Sequence, residues 1–206
     1  MATNTGLRRA YTVWAIFYDA VVRFLRGSRR RSLARLELQA GDSVLLVGCG
    51  AGADFEFLPK GVQATAVDLT PAMLRRAAAK VGDRSIRLLE MDAMDLRFPD
   101  NTFDKTVLHL ILAVVPDPVR TLQEAERVTK PNGLLVVLDK FWNRPKPPPL
   151  PLRIANALLG GYVTALDRNF HAILGRTSLE LLREIPQGFG GLYFAYLLRK
   201  RAGPRP

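Results

Sequence analysis

Strand-length apolar runs alternate with helix-like segments from Ser43 to residue 141. Continuous apolar runs of this length are typical of strands that are covered on both faces. Five such strands are predicted, over residues 43–48, 62–69, 85–91, 103–112 and 133–141. Because strands alternate with helices, we expect them to run parallel, with helices on both faces of the sheet. The sequence therefore predicts an α/β fold.

Two segments between these strands carry clear helix-start signals. TPAMLRRAAAKV (70–81) and DPVRTLQEAERVTK (117–130) both open with a capping side chain, Thr70 or Asp117, followed directly by proline. A short polar side chain caps the free main-chain N–H groups of a helix, and proline suits its first position. Both segments are predicted to be helices.

The two ends of the chain fall outside this alternation. Residues 8–38 have an amphipathic helical pattern with a break at Gly27-Ser28, and RPKPPPLP (144–151) predicts a stiff connection, since it is too proline-rich for a helix or an internal strand. Beyond it we predict a helical stretch, a short helix and a closing strand, over residues 152–174, 178–184 and 190–200.

The size and composition of the chain favour one domain. With 206 residues and 48% hydrophobic content it can form one well-buried core. The single cysteine, Cys49, excludes an internal disulfide. The first residues lack the pattern of a secretory signal, and no apolar run approaches the roughly 20 residues that a membrane span needs. We expect one domain of residues 1–206 in the cytoplasm.

Charge is distributed unevenly along the chain, whose net charge is +11. Residues 1–43 hold eight arginines and three acids, residues 44–140 hold twelve bases and thirteen acids, and residues 141–206 hold ten bases and three acids. Basic ends around a balanced middle indicate a polyanionic partner. Phospholipid and RNA both satisfy this description.

Three glycines follow the first predicted strand at alternate positions, in GCGAG (48–52). Glycine lets the backbone turn tightly and lets a ligand approach the main-chain amides. Asp68 lies 20 residues beyond Gly48, at the end of the second predicted strand, where an acid is expected to bind ribose hydroxyls. The spacing G-x-G-x-G differs from the G-x-G-x-x-G of dinucleotide sites, so the turn indicates an adenosine ligand without identifying it.

Four ordered motifs make the pattern more specific. LLVGCGAG, AVDLTPAML, MDAMDLRFPDNTFD and RVTKPNGLLVV follow one another over residues 44–140 and resemble the nucleotide-binding motifs of class I S-adenosylmethionine-dependent methyltransferases. This resemblance implies a single Rossmann-like domain: a mostly parallel seven-stranded sheet with helices on both faces, an antiparallel last strand and N-terminal helices. It divides the chain into an N-terminal lid or membrane-contact segment (1–43), a cofactor-binding core (44–141) and a substrate-side segment (142–206).

The resemblance also implies the residues that bind S-adenosylmethionine. Gly48, Gly50 and Gly52 would line its methionine and ribose portion, Asp68 would bind the ribose hydroxyls, Leu69 would pack on the adenine, and Asp92 would accept from the adenine amino group with Ala93 beside it. The alternatives are an ordinary tight turn for the glycines and a solvated loop acid for Asp92. Cys49 is expected to be a small filler. Most of the superfamily has an acid at the position of Leu46, so a cofactor contact made through that acid must be made otherwise here or be absent.

The methyl acceptor is predicted from the segments around the core. The chain reads LHLILAVVPDP after the fourth strand and lacks both the Asn/Asp-Pro-Pro-aromatic motif of base methyltransferases and the paired-glutamate loop of protein arginine methyltransferases. With FYDAVV before the glycine turn, it most resembles the branch of ubiquinone/menaquinone C-methyltransferases and bacterial phosphatidylethanolamine N-methyltransferases. We expect phospholipid N-methylation. The alternatives are methylation of a soluble thiol, quinone or hydrophobic metabolite and, more remotely, an RNA-associated module.

The predicted partners follow from the same resemblance and from the basic ends. Residues 12–26 mix aromatic and aliphatic side chains with arginines, a pattern that suits a helix in the lipid interface or, equally, a lid on the cofactor pocket. We expect a monomer that is cytoplasmic and peripheral on the inner face of the membrane. It is expected to meet an anionic membrane surface and a phospholipid substrate, without nucleic acid or metal.

Two residues are candidates for catalysis. His109, at the end of the fourth predicted strand, is expected to border the cofactor and to accept a proton from an ammonium acceptor, because imidazole titrates near neutral pH. The alternative is a hydrogen-bonded wall residue. Tyr18 is expected to close over the cofactor, by analogy with the tyrosine of the YD element in related enzymes.

Overall fold

The described residues form one seven-stranded sheet with helices packed against it. The computed structural model describes residues 25–143, 168–187 and 192–203. Among them the strands are β1 (Ser43–Val47), β2 (Gln63–Asp68), β3 (Ile86–Glu90), β4 (Phe103–His109), β5 (Thr129–Lys140), β6 (Glu180–Pro186) and β7 (Tyr193–Arg199). The helices are α1 (Arg26–Ala34), α2 (Pro71–Ala78), α3 (Pro118–Val128) and α4 (Phe170–Leu174), with a short 3-10 helix at Phe55–Phe57.

The strand order confirms the predicted α/β class. It runs β3-β2-β1-β4-β5-β7-β6, and the first five strands of this order pair in parallel. The last strand of the chain, β7, is antiparallel to β5 and β6, as predicted. The order reverses between β1 and β4, because the chain moves outward through β2 and β3 and then returns to the other side of β1. Such a reversal opens a crevice at the carboxyl ends of the strands, where ligands bind in this class of fold.

The sheet separates two apolar clusters. In β1, Leu45 belongs to one cluster and Leu46 to the other, since successive strand residues point to opposite faces. On the first face the cluster includes Leu122 of α3, and on the second it includes Leu33 of α1 and Ala77 of α2. Helices therefore cover both faces, which explains why β1 has the apolar run of a fully buried strand.

The predicted ends of the core elements differ from the observed ones by a few residues. The second predicted helix ends at Val128 because Thr129 already pairs with Phe103 in the sheet. Residues 131–133, Pro-Asn-Gly, form an irregularity inside β5. Asn132 there has a φ of 63°, and the β4–β5 register shifts between Phe103 and Lys105.

Two predictions outside the core were wrong. The short helix predicted over 178–184 lies mostly in strand β6, which starts at Glu180 and pairs with β7. Leucine and glutamate favour helices, but pairing with a neighbouring strand overrides that preference. The predicted break at Gly27-Ser28 is also absent, since α1 starts at Arg26 and both residues lie in its first turn.

Several predicted segments lie outside the described residues. They are the helical residues 8–24, the proline-rich connection 144–151 and the first part of the helical stretch 152–174. The described end of that stretch is α4, whose cap Asn169 accepts a hydrogen bond from the N–H of Ala172 at 3.0 Å. Within the described ranges, no helix has the length and apolarity that crossing a membrane would require.

Arg127 fixes the loop that joins β3 to β4. Its guanidinium donates to the main-chain oxygens of Leu96 at 2.6 Å and Phe98 at 2.8 Å. It also pairs with the carboxylates of Glu124 and Asp100, at 2.8 and 2.7 Å. The loop carbonyls thus find their donors on α3 rather than in water, and this side chain fixes the loop to the body of the protein.

We expect Arg127→Met to lower the free energy of unfolding by about 1–3 kcal/mol, because two carbonyls and two carboxylates lose a charged donor. Urea denaturation measures the change. Arg97→Met is the matched control. It removes the same charge from the same loop, and the exposed Arg97 side chain makes no hydrogen bond or ion pair with a described residue. Equal stability of the two variants would contradict the role given to Arg127.

Candidate active site

A cavity of about 350 Å³ opens at the carboxyl ends of β1, β2, β3 and β4, at the point where the strand order reverses. Its wall is built from the segments that follow these four strands. They contribute Gly48 and Gly50, residues 68–70 with Met73, residues 91–94, and residues 109–111 with 114–116. The structure therefore brings together most of the predicted cofactor residues, although they come from separate parts of the chain.

Glycine is required at Gly48 for two reasons. Its φ is 66°, in the left-handed region that side chains disfavour, and a Cβ there would lie 2.5 Å from Cδ1 of Ile111. Gly50 has a φ of 54° and also lines the cavity. Gly52 does not reach the cavity wall among the described residues. It is kept small by Phe55, whose Cε2 would lie 2.7 Å from a Cβ.

Asp68 joins the turn after β1 to the turn after β2. Its Oδ2 accepts from the N–H of Gly50 at 2.8 Å, and its Oδ1 accepts from the N–H of Thr70 at 2.9 Å. A carboxylate has about four acceptor sites, so both oxygens retain capacity for further donors. Asp68 lines the cavity, which is the placement that binding of ribose hydroxyls requires.

Two apolar side chains border the space expected for the adenine. Leu69 is 64% exposed and Val114 is 49% exposed, and they are the large apolar residues that stand exposed in the described part of the chain. Both line the cavity, and such surface is normally covered when it is functional. Asp92, next to Ala93 in the same wall, holds its own turn through Oδ1, which accepts from the N–H of Met94 at 2.8 Å.

Charged side chains hold the loop after β4, which forms another wall; Asp139 is buried and Arg168 is half-buried. Asp139 accepts from the N–H of Ala113 at 2.9 Å, and Arg168 donates to the main-chain oxygens of Val115, at 2.6 Å, and Leu112. Burial raises the pKa of Asp139. Within this loop Leu110 has a φ of 59°, an uncommon conformation for leucine. The wall is therefore held in one shape by groups behind it.

Both ring nitrogens of His109 contact other side chains of the protein. Nδ1 lies 2.9 Å from Oδ1 of Asp54, and Nε2 lies 3.1 Å from Oγ of Ser32. Asp54 in turn receives a hydrogen bond from Nη1 of Arg29 at 2.7 Å. Although His109 lines the cavity, neither nitrogen is open to an incoming amine in this arrangement. The geometry favours the alternative of a hydrogen-bonded wall residue, and a role in proton transfer stays a prediction.

The charge on Asp54 is stabilised inside the protein. Burial by itself would raise the pKa of Asp54, but His109 and Arg29 lower it below the usual range of a carboxyl group through charge and hydrogen bonding. The stabilisation is present at neutral pH and is lost only as pH falls through the lowered pKa. Sequence patterns did not identify Arg29, Ser32 or Asp54, because the contacts among them span 25 to 77 residues of chain.

Three further positions were considered in the sequence, namely Cys49, Leu46 and Tyr18. Burial, with smaller contributions from Asp68 and Asp54, raises the pKa of the Cys49 thiol to about 12, so it is not a nucleophile near neutral pH. Leu46 is 1% exposed and packs in the core, and it offers no polar group to a cofactor. Tyr18 lies outside the described residues.

Comparison with known proteins identifies the class. A family model described as a methyltransferase domain matches residues 45–137. The phosphatidylethanolamine N-methyltransferase of Cereibacter sphaeroides is 31% identical over 204 residues, which cover 95% of this chain and 98% of that enzyme. The demethylmenaquinone methyltransferase of Staphylococcus saprophyticus is 36% identical over 116 residues, which cover 54% of this chain and 50% of that enzyme.

Solved structures agree on the fold. An S-adenosylmethionine-dependent methyltransferase from Aquifex aeolicus superposes with a TM-score of 0.62 at 23% identity, covering 84% of this chain and 89% of that one. The cyclase SpnF superposes with a TM-score of 0.70 at 19% identity, covering 86% and 82%. At these identities the likeness concerns the fold alone.

The cavity, the family match and the nearly full-length relative together identify the chain as a methyltransferase. It belongs to the S-adenosylmethionine-dependent methyltransferases, and its cofactor is S-adenosylmethionine. The residues present fit this group: a glycine turn that a Cβ would obstruct, an anchored carboxylate at Asp68, and an apolar surface at Leu69 and Val114.

We expect Asp68→Asn to weaken binding of S-adenosylhomocysteine about 10- to 100-fold, as measured by calorimetry. An amide has one acceptor oxygen, and the N–H groups of Gly50 and Thr70 already need two, so the ribose hydroxyls lose a charged acceptor whose hydrogen bonds contribute about 1.5–3 kcal/mol. Asp83→Asn, at an exposed acid that pairs with Lys60 at 3.6 Å, is the control. Affinities of the two variants within threefold of each other would exclude the role given to Asp68.

Proposed function

We propose that this methyltransferase methylates the amine of a phospholipid such as phosphatidylethanolamine at a membrane surface. The observation that carries the proposal is the relationship to the phosphatidylethanolamine N-methyltransferase, which extends over 98% of that enzyme. The segments that lie outside the cofactor-binding core are included in this match. Because acceptor specificity has to come from those segments, a match through both ends is more informative than one confined to the core.

The charge on α1 supports an anionic membrane surface as partner. Arg26 and Arg30 are exposed and border an open groove of about 460 Å³, together with Phe57 and Pro59. The guanidinium of Arg26 lies 5.4 Å from the ring centre of Phe57 and pairs with Glu56 at 2.5 Å. Arg30 makes no hydrogen bond or ion pair with a described residue. Each basic group near an anionic leaflet contributes about 1 kcal/mol to binding.

Methyl transfer requires correct positioning of the two reactants more than it requires an acid–base pair of side chains. S-adenosylmethionine supplies the methyl group, and an amine acceptor must reach it unprotonated and in line. The rigid walls after β3 and β4 hold the cofactor side of this geometry, through Arg127, Asp139 and Arg168. Leu69, Val114 and Ile111 give the cavity wall apolar surface, and an amine that is partly removed from water against such surface favours its neutral form.

A second candidate function is methylation of a quinone or another hydrophobic small molecule. It is favoured by the demethylmenaquinone methyltransferase, whose identity of 36% is higher than that of the phospholipid enzyme. That match covers only 50% of the quinone enzyme, and the phospholipid proposal is therefore preferred.

The two candidates are separated by a transfer assay. With methyl-labelled S-adenosylmethionine and vesicles of phosphatidylethanolamine and phosphatidylglycerol, we expect label in monomethylated phosphatidylethanolamine by mass spectrometry. Demethylmenaquinone in the same vesicles is the competing acceptor, and Asp68→Asn is the control with weakened cofactor binding. Label in the quinone alone, or in an added soluble thiol alone, would overturn the phospholipid proposal.

Association with membranes is tested by flotation. We expect the protein to float with vesicles that contain phosphatidylglycerol at low salt and to be released at about 0.5 M salt, because the Debye length falls from about 10 Å at 0.1 M toward 3 Å at 1 M. Arg30→Glu should reduce flotation, whereas Arg97→Glu, which makes the same charge change on the loop between β3 and β4, should have a smaller effect. Equal flotation with neutral and anionic vesicles would contradict an electrostatic contact.

A further inference from the structure

Four polar side chains form a buried network behind the cofactor pocket. Arg29 and Ser32 come from α1, Asp54 follows the glycine turn, and His109 ends β4. Their exposed fractions are 3%, 0%, 4% and 4%. One chain of contacts runs through them, from Nη1 of Arg29 to Asp54 at 2.7 Å, from Asp54 to Nδ1 of His109 at 2.9 Å, and from Nε2 of His109 to Oγ of Ser32 at 3.1 Å.

The connectivity of Asp54, His109 and Ser32 is that of a serine nucleophile with its base and orienting acid. The burial of Ser32 excludes that role, since its hydroxyl is 0% exposed and no substrate reaches it. The network therefore acts on structure rather than on a substrate bond. Its effect has to be found in what it connects.

The network is the main polar link between α1 and the pocket wall. The buried residues of α1 are Ser28, Arg29, Ser32 and Leu33, so three of the four are polar. Apolar burial alone therefore does not specify how this helix sits on the sheet. Its placement depends on Arg29 meeting Asp54 and on Ser32 meeting His109.

Both partners of α1 are continuous with residues that line the cavity. Asp54 lies four residues after Gly50, and His109 is followed directly by Leu110 in its left-handed conformation. A buried carboxylate without a charged partner is strongly destabilising. If α1 moves from its position, Asp54 loses its ion pair with Arg29. Keeping the glycine turn in its present packing then costs free energy. Placement of the helix and shape of the pocket are thus thermodynamically linked.

We propose that Arg29 is a positioning residue for S-adenosylmethionine, acting through Asp54 and His109 without touching the cofactor. Linkage is reciprocal, so a correctly placed α1 strengthens cofactor binding and bound cofactor stabilises α1 by the same factor. This inference concerns the methyltransferase reaction itself and holds for a phospholipid or any other acceptor. Its failure would leave the proposed function untouched.

Calorimetry with S-adenosylhomocysteine tests the proposal in the full chain. Arg29→Met removes the charge that compensates Asp54, and we expect at least about tenfold weaker binding. In steady-state assays the KM for S-adenosylmethionine should rise similarly while kcat changes less than about threefold. Arg87→Met is the control, because it removes the same charge from an exposed position on β3. Binding by the two variants within twofold would overturn the proposal.

A second control tests whether a general loss of stability is enough to weaken cofactor binding. Leu198→Ala lowers stability at β7, where Leu198 is 0% exposed and no residue lines the cavity, and should leave the affinity of the folded protein unchanged. Adding Asp54→Asn to Arg29→Met removes the unpaired charge, so the double variant should bind at least about threefold more tightly than Arg29→Met. Strictly additive losses in the double variant would refute a coupled pair.

Hydrogen exchange tests the reverse direction of the linkage in the unmodified protein. S-adenosylhomocysteine should slow exchange of the α1 amides, residues 26–34, at least about tenfold beyond any effect on β6, which lies at the far edge of the sheet. If Arg29→Met does not fold, Ser32→Ala replaces it, with about threefold weaker binding expected against the exposed control Ser85→Ala. No ligand-dependent protection of α1 would overturn the proposal.

Discussion

The cofactor pocket depends on the hydrogen bonds that the carboxylate of Asp68 accepts from two turns. It accepts from the N–H of Gly50 and from the N–H of Thr70, and so fixes the turns that follow β1 and β2 relative to one another. These turns lie on neighbouring parallel strands, whose pairing ends at Val47 and Val67, with one further main-chain hydrogen bond from the N–H of Cys49 to the oxygen of Val67 at 2.9 Å. Beyond that bond, no main-chain hydrogen bond joins the two turns in the part of the chain that the structure describes. A charged acceptor that bonds to main-chain amides of both turns replaces such bonds and leaves lone pairs for a ligand.

The same principle recurs around the rest of the cavity. Each wall is a loop whose main-chain groups would otherwise need water, and a charged side chain behind the loop satisfies them. Arg127 binds the carbonyls after β3, Arg168 binds those after β4, and Asp139 accepts an N–H of the latter loop. Buried polar groups require partners, so these side chains restrict each loop to conformations in which the bonds are made. The pocket is shaped before a cofactor arrives.

Local patterns in the sequence predicted the core of the fold. The central parallel strands β1 and β4 are largely buried on both faces, and they appear as apolar runs that can be recognised without knowledge of their neighbours. Strand β6 was predicted as a helix because its identity depends on pairing with β7, which LELLRE does not encode. The site divides in the same way. Asp68 and Gly48 belong to a motif, whereas Gly52 faces Phe55 instead of the cavity and the partners of His109 come from distant segments.

The difference between residues that belong to a motif and contacts that come from distant segments bears on which methyl acceptor is used. The fold is shared with proteins of other activities, such as the cyclase described above, so the sheet and its cofactor edge do not by themselves determine a substrate. The segments that flank the core have to do so, and α1 is the flanking helix that contacts the pocket wall. A buried ion pair adds little net stability compared with an apolar contact of the same size, but it strongly disfavours misplaced arrangements. The pairing of Arg29 with Asp54 therefore specifies one position for α1 over the cofactor edge more sharply than Leu33 alone would do.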